Sequence, residues 1–102
     1  LGFVLNGDGI VCIDLDHCYD GKPNAEAQAL IDSLPSTYIE ISPSGTGLHI
    51  WAYATLAKGR RFDRNGLSVE IYPNGRYLTV TGQAINRVPF SQIDLDNILA
   101  QR

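Results

Sequence analysis

Apolar and polar positions along the chain change period several times, and each change marks an element. Within residues 9–16, Val11, Ile13 and Leu15 alternate with Cys12, Asp14 and Asp16, so period two predicts a strand that carries both aspartates on one face. Residues 3–5 form another β-rich run, and Asn6, Gly7 and Asp8 between the two carry the Asn-Gly signal of a tight hairpin. Behind Asn24, a capping residue, Ala27, Leu30, Ile31 and Leu34 recur as one helical stripe that Pro35 ends. Alternation resumes at 37–42 and 48–53 around a turn with Pro43, Gly45 and Gly47, which predicts a second hairpin. From 56 to 67 the periodicity is lost while Lys58, Arg60, Arg61 and Arg64 accumulate, a basic loop interrupted by Asp63. A third hairpin is expected from 69–72 and 77–81 around Pro73, Asn74 and Gly75. Finally, Ser91 is expected to cap a closing helix with Asp94 in its first turn and Leu95, Ile98 and Leu99 on one side.

The expected order is β-β-α-β-β-β-β-α, an α+β domain whose mainly antiparallel sheet is covered on one face by two helices. A length of 102 residues suits a single domain over 1–102. Hydrophobic residues at 44% and charged residues at 19% exclude a disordered or collagen-like chain. No apolar run approaches the roughly 18 residues that span a bilayer, so no membrane partner is expected. Cys12 and Cys18 do not form a CxxC pair and are too few for a four-cysteine zinc site; they read as reduced thiols of a cytoplasmic protein. With no initiator Met and an apolar strand at Leu1, the chain reads as a piece of a longer protein.

The tetrapeptide Ile-Asp-Leu-Asp occurs at 13–16 and again at 93–96, and context separates the copies. Asp94 and Asp96 sit near an expected helix start, where carboxylates favour the dipole. Asp14 and Asp16 end an apolar strand, about 7 Å apart along one face, and repel unless something positive lies between them. A solvated strand end is the plain reading; a divalent metal such as Mg²⁺, which takes oxygen ligands, is the chemical one. An aspartyl-phosphatase reading expects a small hydroxyl residue after the second aspartate, whereas His17 and Cys18 follow. Ser44, Gly45, Thr46 and Gly47 form either a simple hairpin turn or an anion cradle, and His49 follows on the face opposite Leu48 and Ile50. Glu70 alternates with Val69 and Ile71; joined to Asp14 and Asp16 it makes a three-carboxylate site of the two-metal kind. Neutralising these three acids takes the net charge from −3 to 0, so acidity does not oppose nucleic-acid binding, and the basic segment offers phosphate contacts.

The runs IDLDHC, ISPSGTGLHI and VEIYPNGRYLTVTG, in this order, resemble the bifunctional primase-polymerase domain of the phage and plasmid branch of the archaeo-eukaryotic primase superfamily. The resemblance covers residues 2–89. It implies metal binding by Asp14, Asp16 and Glu70 with Mg²⁺ or Mn²⁺, and catalysis by these acids with His49. It also implies triphosphate contact by Ser44, Gly45, Gly47 and His49, and a nucleotide- or template-facing Arg76. The implied fold is the RRM-like half of a catalytic core whose N-terminal α/β module is largely absent here. The implied activity is template-directed nucleotidyl transfer, with a DNA template-primer and nucleoside triphosphates as partners and a helicase or other replication module in the parent protein. A bacterial or phage-infected cytoplasm is the implied location. One rival is a non-catalytic RRM-like nucleic-acid or nucleotide-binding module using Trp51, Tyr53 and Tyr77 as stacking platforms, although stacking does not require clustered acids. Another, a nucleotide-sugar transferase, is disfavoured by length and by the absence of a second nucleotide-binding half.

Overall fold

The computed structural model describes residues 2–5, 9–56, 58–73, 76–95 and 98. In chain order its elements are β1 (Gly2–Leu5), β2 (Ile10–Asp16), α1 (Ala25–Asp32), β3 (Tyr38–Ile41), β4 (Leu48–Tyr53) and β5 (Arg60–Arg64). There follow β6 (Leu67–Tyr72), β7 (Arg76–Thr79), β8 (Ala84–Asn86) and β9 (Ser91–Gln92). This is an α+β arrangement in which seven strands form a mainly antiparallel sheet, ordered β5-β6-β2-β4-β3-β8, with β9 added in parallel to β4. Strand β2 lies between β4 and β6, antiparallel to both. Its alternation is realised as expected. Val11, Ile13 and Leu15 join Leu48, Ile50, Leu67, Val69 and Ile71 in the main core.

Helix α1 begins where the Asn24 side chain accepts a 2.9 Å hydrogen bond from the Ala27 N–H, which satisfies one of the free donors of the first turn. Its buried residues, Ala27 and Leu30, belong to the same core, and Ile31 and Leu34 pack at its margin. Each large aliphatic side chain fully buried here contributes about 1.5–3 kcal/mol. On the other face of the sheet Cys12 and Trp51 form a smaller cluster with Tyr38, Tyr72 and Phe90 at its edge. Among the described residues no helix is long and apolar enough to cross a membrane.

Four expectations are corrected. Strands β1 and β2 do not form a hairpin: β1 pairs instead with β7, in a separate two-stranded sheet. The hairpin expected between β6 and β7 is likewise absent. Both edges of β2 are filled by β4 and β6, and both edges of β6 by β2 and β5, so β1 and β7 pair with each other. The basic loop is in fact strand β5, joined to β6 by a two-residue turn in which Asn65 (φ 54°) and Gly66 (φ 86°) are both left-handed. This is the backbone that an Asn-Gly hairpin turn requires. Ser91 does not cap a helix. It lies in β9, where its N–H donates to Thr37 Oγ1 at 2.9 Å and its hydroxyl donates to the Ser36 carbonyl oxygen. The expected closing helix falls largely outside the described residues, and α1 is the helix that the structure describes.

Candidate active site

Antiparallel register places one residue from each of five strands in a row across the face of the sheet that bears Trp51. Arg61 on β5 lies opposite Glu70 on β6, Glu70 opposite Asp14 on β2, Asp14 opposite His49 on β4, and His49 opposite Glu40 on β3. Directly opposed side chains have Cβ atoms about 4.5–5.5 Å apart, and opposed like charges are destabilising. Asp14 and Glu70 are such a pair. Asp16, two residues further along β2, shares the face and lies opposite Ser68, whose other neighbour is Asp63. The sequence thus brings Asp14, Asp16 and Glu70 to one face, and the structure adds Asp63, which alternation within a basic segment had hidden.

Local cations and donors answer this concentration of charge. The Arg61 Nη2 donates to Glu70 Oε1 at 2.9 Å, and the Tyr72 hydroxyl donates to the same oxygen at 2.9 Å. Hydrogen bonding to Glu70 in turn raises the pKa of Arg61. His49 is buried, its Nε2 3.4 Å from Asp14 Oδ1 and its Nδ1 3.9 Å from Glu40 Oε2. Its ring stands edge-on to Trp51. Among the described residues Nδ1 finds no hydrogen-bond partner. The side chain of Asp14 is 17% exposed and Asp16 is exposed, so the acids open to solvent while His49 lies beneath them.

The turn from Ser42 to Gly47 is closed on itself. Gly45 N–H donates to the Ser42 carbonyl and Ser42 N–H to the Gly47 carbonyl, both at 2.9 Å, while the hydroxyls of Ser42, Ser44 and Thr46 are linked in series. Gly45 has φ +82°, and a Cβ at Gly47 would lie 2.4 Å from the Leu15 carbonyl oxygen. Glycine at 47 therefore lets the turn press against the end of β2. The Thr46 carbonyl then accepts from the N–H groups of Cys18 and Tyr19, both at 2.9 Å, tying the turn to the segment that follows Asp16. Ser44, Gly45 and Thr46 are exposed. Arg76 opens β7 opposite Leu5, and its side chain lies outside the described residues.

Glu40 was not legible as a site residue. It is fully buried, and its carboxylate accepts from the Tyr38 hydroxyl (2.9 Å), Trp51 Nε1 (3.2 Å), Thr81 N–H (3.1 Å) and Gly82 N–H (3.1 Å). A buried carboxylate persists only when so paired. It fastens the 81–82 segment to β3 and forms the floor on which His49 rests. Burial, followed by the charge of Asp14, pushes the Cys18 thiol up to about 11, and burial likewise raises Cys12 well above the usual thiol range. Both cysteines are free. A cavity of about 340 Å³ lined by Tyr19, Lys22, Ile31 and Ile39 opens beside α1 and includes none of the acids, which occupy an open sheet surface.

Two comparisons bear on this arrangement. The family described as BT4734-like, N-terminal domain, matches residues 4–94, a span containing every residue of the row. The chain belongs to that family. A DNA primase-polymerase of Nitratiruptor phage NrS-1 is 39% identical over 104 residues, covering 93% of this chain and 14% of the phage protein. The chain therefore spans about one seventh of the relative it matches, and the match takes in both strands that carry the aspartates and Glu70. Together these establish a primase-polymerase-like relationship.

Proposed function

We propose that this chain carries the metal-binding face of a template-directed nucleotidyltransferase, a DNA primase/polymerase of the archaeo-eukaryotic primase superfamily. The observation that carries the reading is the direct opposition of Asp14 and Glu70, with Asp16 beside them, on a face that leaves them open to solvent. The phage relative's description as a DNA primase-polymerase supports it.

The donor set fits a hard divalent cation, Mg²⁺ or Mn²⁺, because the side chains are carboxylates and both thiols are buried. Among the described residues no group of three or more His, Cys, Asp or Glu side chains stands close enough to hold an ion. Loading a three-carboxylate site would therefore require these side chains to draw together. A bound divalent cation supplies Lewis acidity at the α-phosphate, easing attack by a 3′-hydroxyl and departure of pyrophosphate. His49 orients Asp14 through Nε2, and Glu40 holds the segment under His49 in place. The Ser44–Gly47 turn presents hydroxyls to the triphosphate, joined by His49 and by Arg76. The partners are a DNA template-primer and nucleoside triphosphates, with a helicase or other replication module in the parent protein and a cytoplasmic setting.

Trp51 is fully buried and stacked on Phe90 at 6.0 Å, so it does not offer the open platform that a purely stacking RRM-like module needs. The test is Mn²⁺ binding and primer extension by the full-length protein. Asp14→Asn should weaken Mn²⁺ binding at least tenfold and abolish extension; wild-type Mn²⁺ affinity in that variant would refute the reading.

A further inference from the structure

Glu70 is held by a cation that its strand neighbour supplies. Arg61 Nη2 lies 2.9 Å from Glu70 Oε1, yet the arginine side chain is 76% exposed while that of the glutamate is 23% exposed. The pairing is sheltered at the glutamate end and open to solvent at the arginine end. Strand β5 is the outer edge of the sheet, and alternation along it puts Arg61 and Asp63 on the acid face and Arg60, Phe62 and Arg64 on the helix side. Arg61 is thus the β5 cation placed to meet both Glu70 and whatever approaches the acids from solvent.

Resting on the reading above, we infer that Arg61 is a placeholder cation. It neutralises Glu70 in the metal-free protein, surrenders the carboxylate when a divalent ion enters between Asp14 and Glu70, and then turns to the phosphates of the incoming triphosphate. The exchange conserves charge balance. The opposed acids never face each other unscreened, and the guanidinium leaves one anion for another that it grips in a two-pronged fashion. A long flexible stem on an exposed edge strand suits this movement, whereas a buried arginine would be trapped by its desolvation.

The experiment is calorimetric titration of the full-length protein with MnCl2 alone, then with deoxyadenosine triphosphate at saturating Mn²⁺. Arg61→Ala should tighten Mn²⁺ binding about two- to fivefold, the range expected when an exposed ion pair no longer competes. The gain should shrink as KCl is raised, because salt screens the pair in the wild type. The same variant should weaken triphosphate binding about three- to tenfold through loss of one charge-assisted contact. Arg60→Ala removes equal charge from the helix side and should leave both affinities unchanged. Unchanged Mn²⁺ affinity in Arg61→Ala, equal tightening in Arg60→Ala, or unchanged triphosphate affinity in Arg61→Ala would overturn the placeholder. Should Asp14→Asn bind Mn²⁺ like the wild type, the failure belongs to the metal site itself.

Discussion

Replacing Glu40 measures how much one buried carboxylate contributes to this fold. Its oxygens accept from four donors, two of them backbone N–H groups 41 and 42 positions away in sequence. Glu40→Gln keeps the volume but leaves one acceptor oxygen, so two of the four donors face an amide NH2. With about 1–2 kcal/mol for each donor left unmatched, the loss is about 2–4 kcal/mol. Glu40→Ala removes both acceptor oxygens and leaves all four donors without their partner. Gly82 is exposed and Thr81 half-buried, so water reaches them, whereas Trp51 Nε1 is sealed inside. A loss of about 3–5 kcal/mol follows, the cost of breaking a buried charged network. Against the roughly 5–15 kcal/mol that stabilises a typical domain, this is a large fraction. Trp51 is the sole tryptophan and donates to Glu40 directly, so its fluorescence in a urea titration reports both unfolding and the lost contact. The midpoint should fall with little change in slope, and the Thr81 and Gly82 amides should lose exchange protection. A Glu40→Gln loss below about 1 kcal/mol, or unchanged exchange at those two amides, would refute the account of Glu40 as the hub beneath His49.

Gly47→Ala sets a methyl 2.4 Å from the Leu15 carbonyl oxygen, which is backbone, so calorimetry should show a loss of about 1–3 kcal/mol. Mn²⁺ at a hundredfold excess over Kd should stabilise the protein by about 2.7 kcal/mol; in thermal melts Asp16→Asn should lose most of that increment while slightly stabilising the metal-free state. Both thiols should resist DTNB at pH 8 in the folded protein, since the thiolate is the reactive form and burial disfavours it. Cys18 is raised from 9.0 to about 11, so its contribution to stability is full below pH 9 and is lost as pH rises towards 11, about 2–3 kcal/mol in all. Urea midpoints in Cys18→Ala should therefore decline less steeply over that window, and an identical decline would contradict the assignment.

Three Asn-Gly pairs occur in the chain, at 6–7, 65–66 and 74–75. The sequence predicts a hairpin at the first and the third and makes the second part of a basic loop, yet the strands flanking the first and the third take other partners, and the β5–β6 hairpin forms at the second. A strand has only two edges, and competition for the edges of β2 and β6 is a property of the whole sheet that no local signal contains. β5 was hidden for a related reason: an edge strand needs charge to discourage further pairing, so its arginines mask its periodicity. What alternation does contain is which face a residue takes. Asp14, Asp16, His49 and Glu70 lie on the expected side because parity survives any choice of partner. Glu40 shares their parity but was passed over, since burial of its carboxylate comes from the 81–82 segment closing over it. Ser91 satisfies the composition of a helix cap, but Thr37 and Ala52 recruit its backbone into the sheet first.

The Asn65-Gly66 turn has a reach beyond its two residues. A hairpin loop of fixed length is a phase-setting device: lengthening it by one residue, with β6 held by β2, would slide β5 one step and exchange its two faces. Arg61 would then point to the helix side, and Glu70 would face Arg60 or Phe62 according to the direction of slip. One of these supplies a guanidinium and the other a hydrophobic ring. Loop length at a remote tip is thus a selector for the electrical character of the acid face, open to insertion and deletion without any change at the acids themselves.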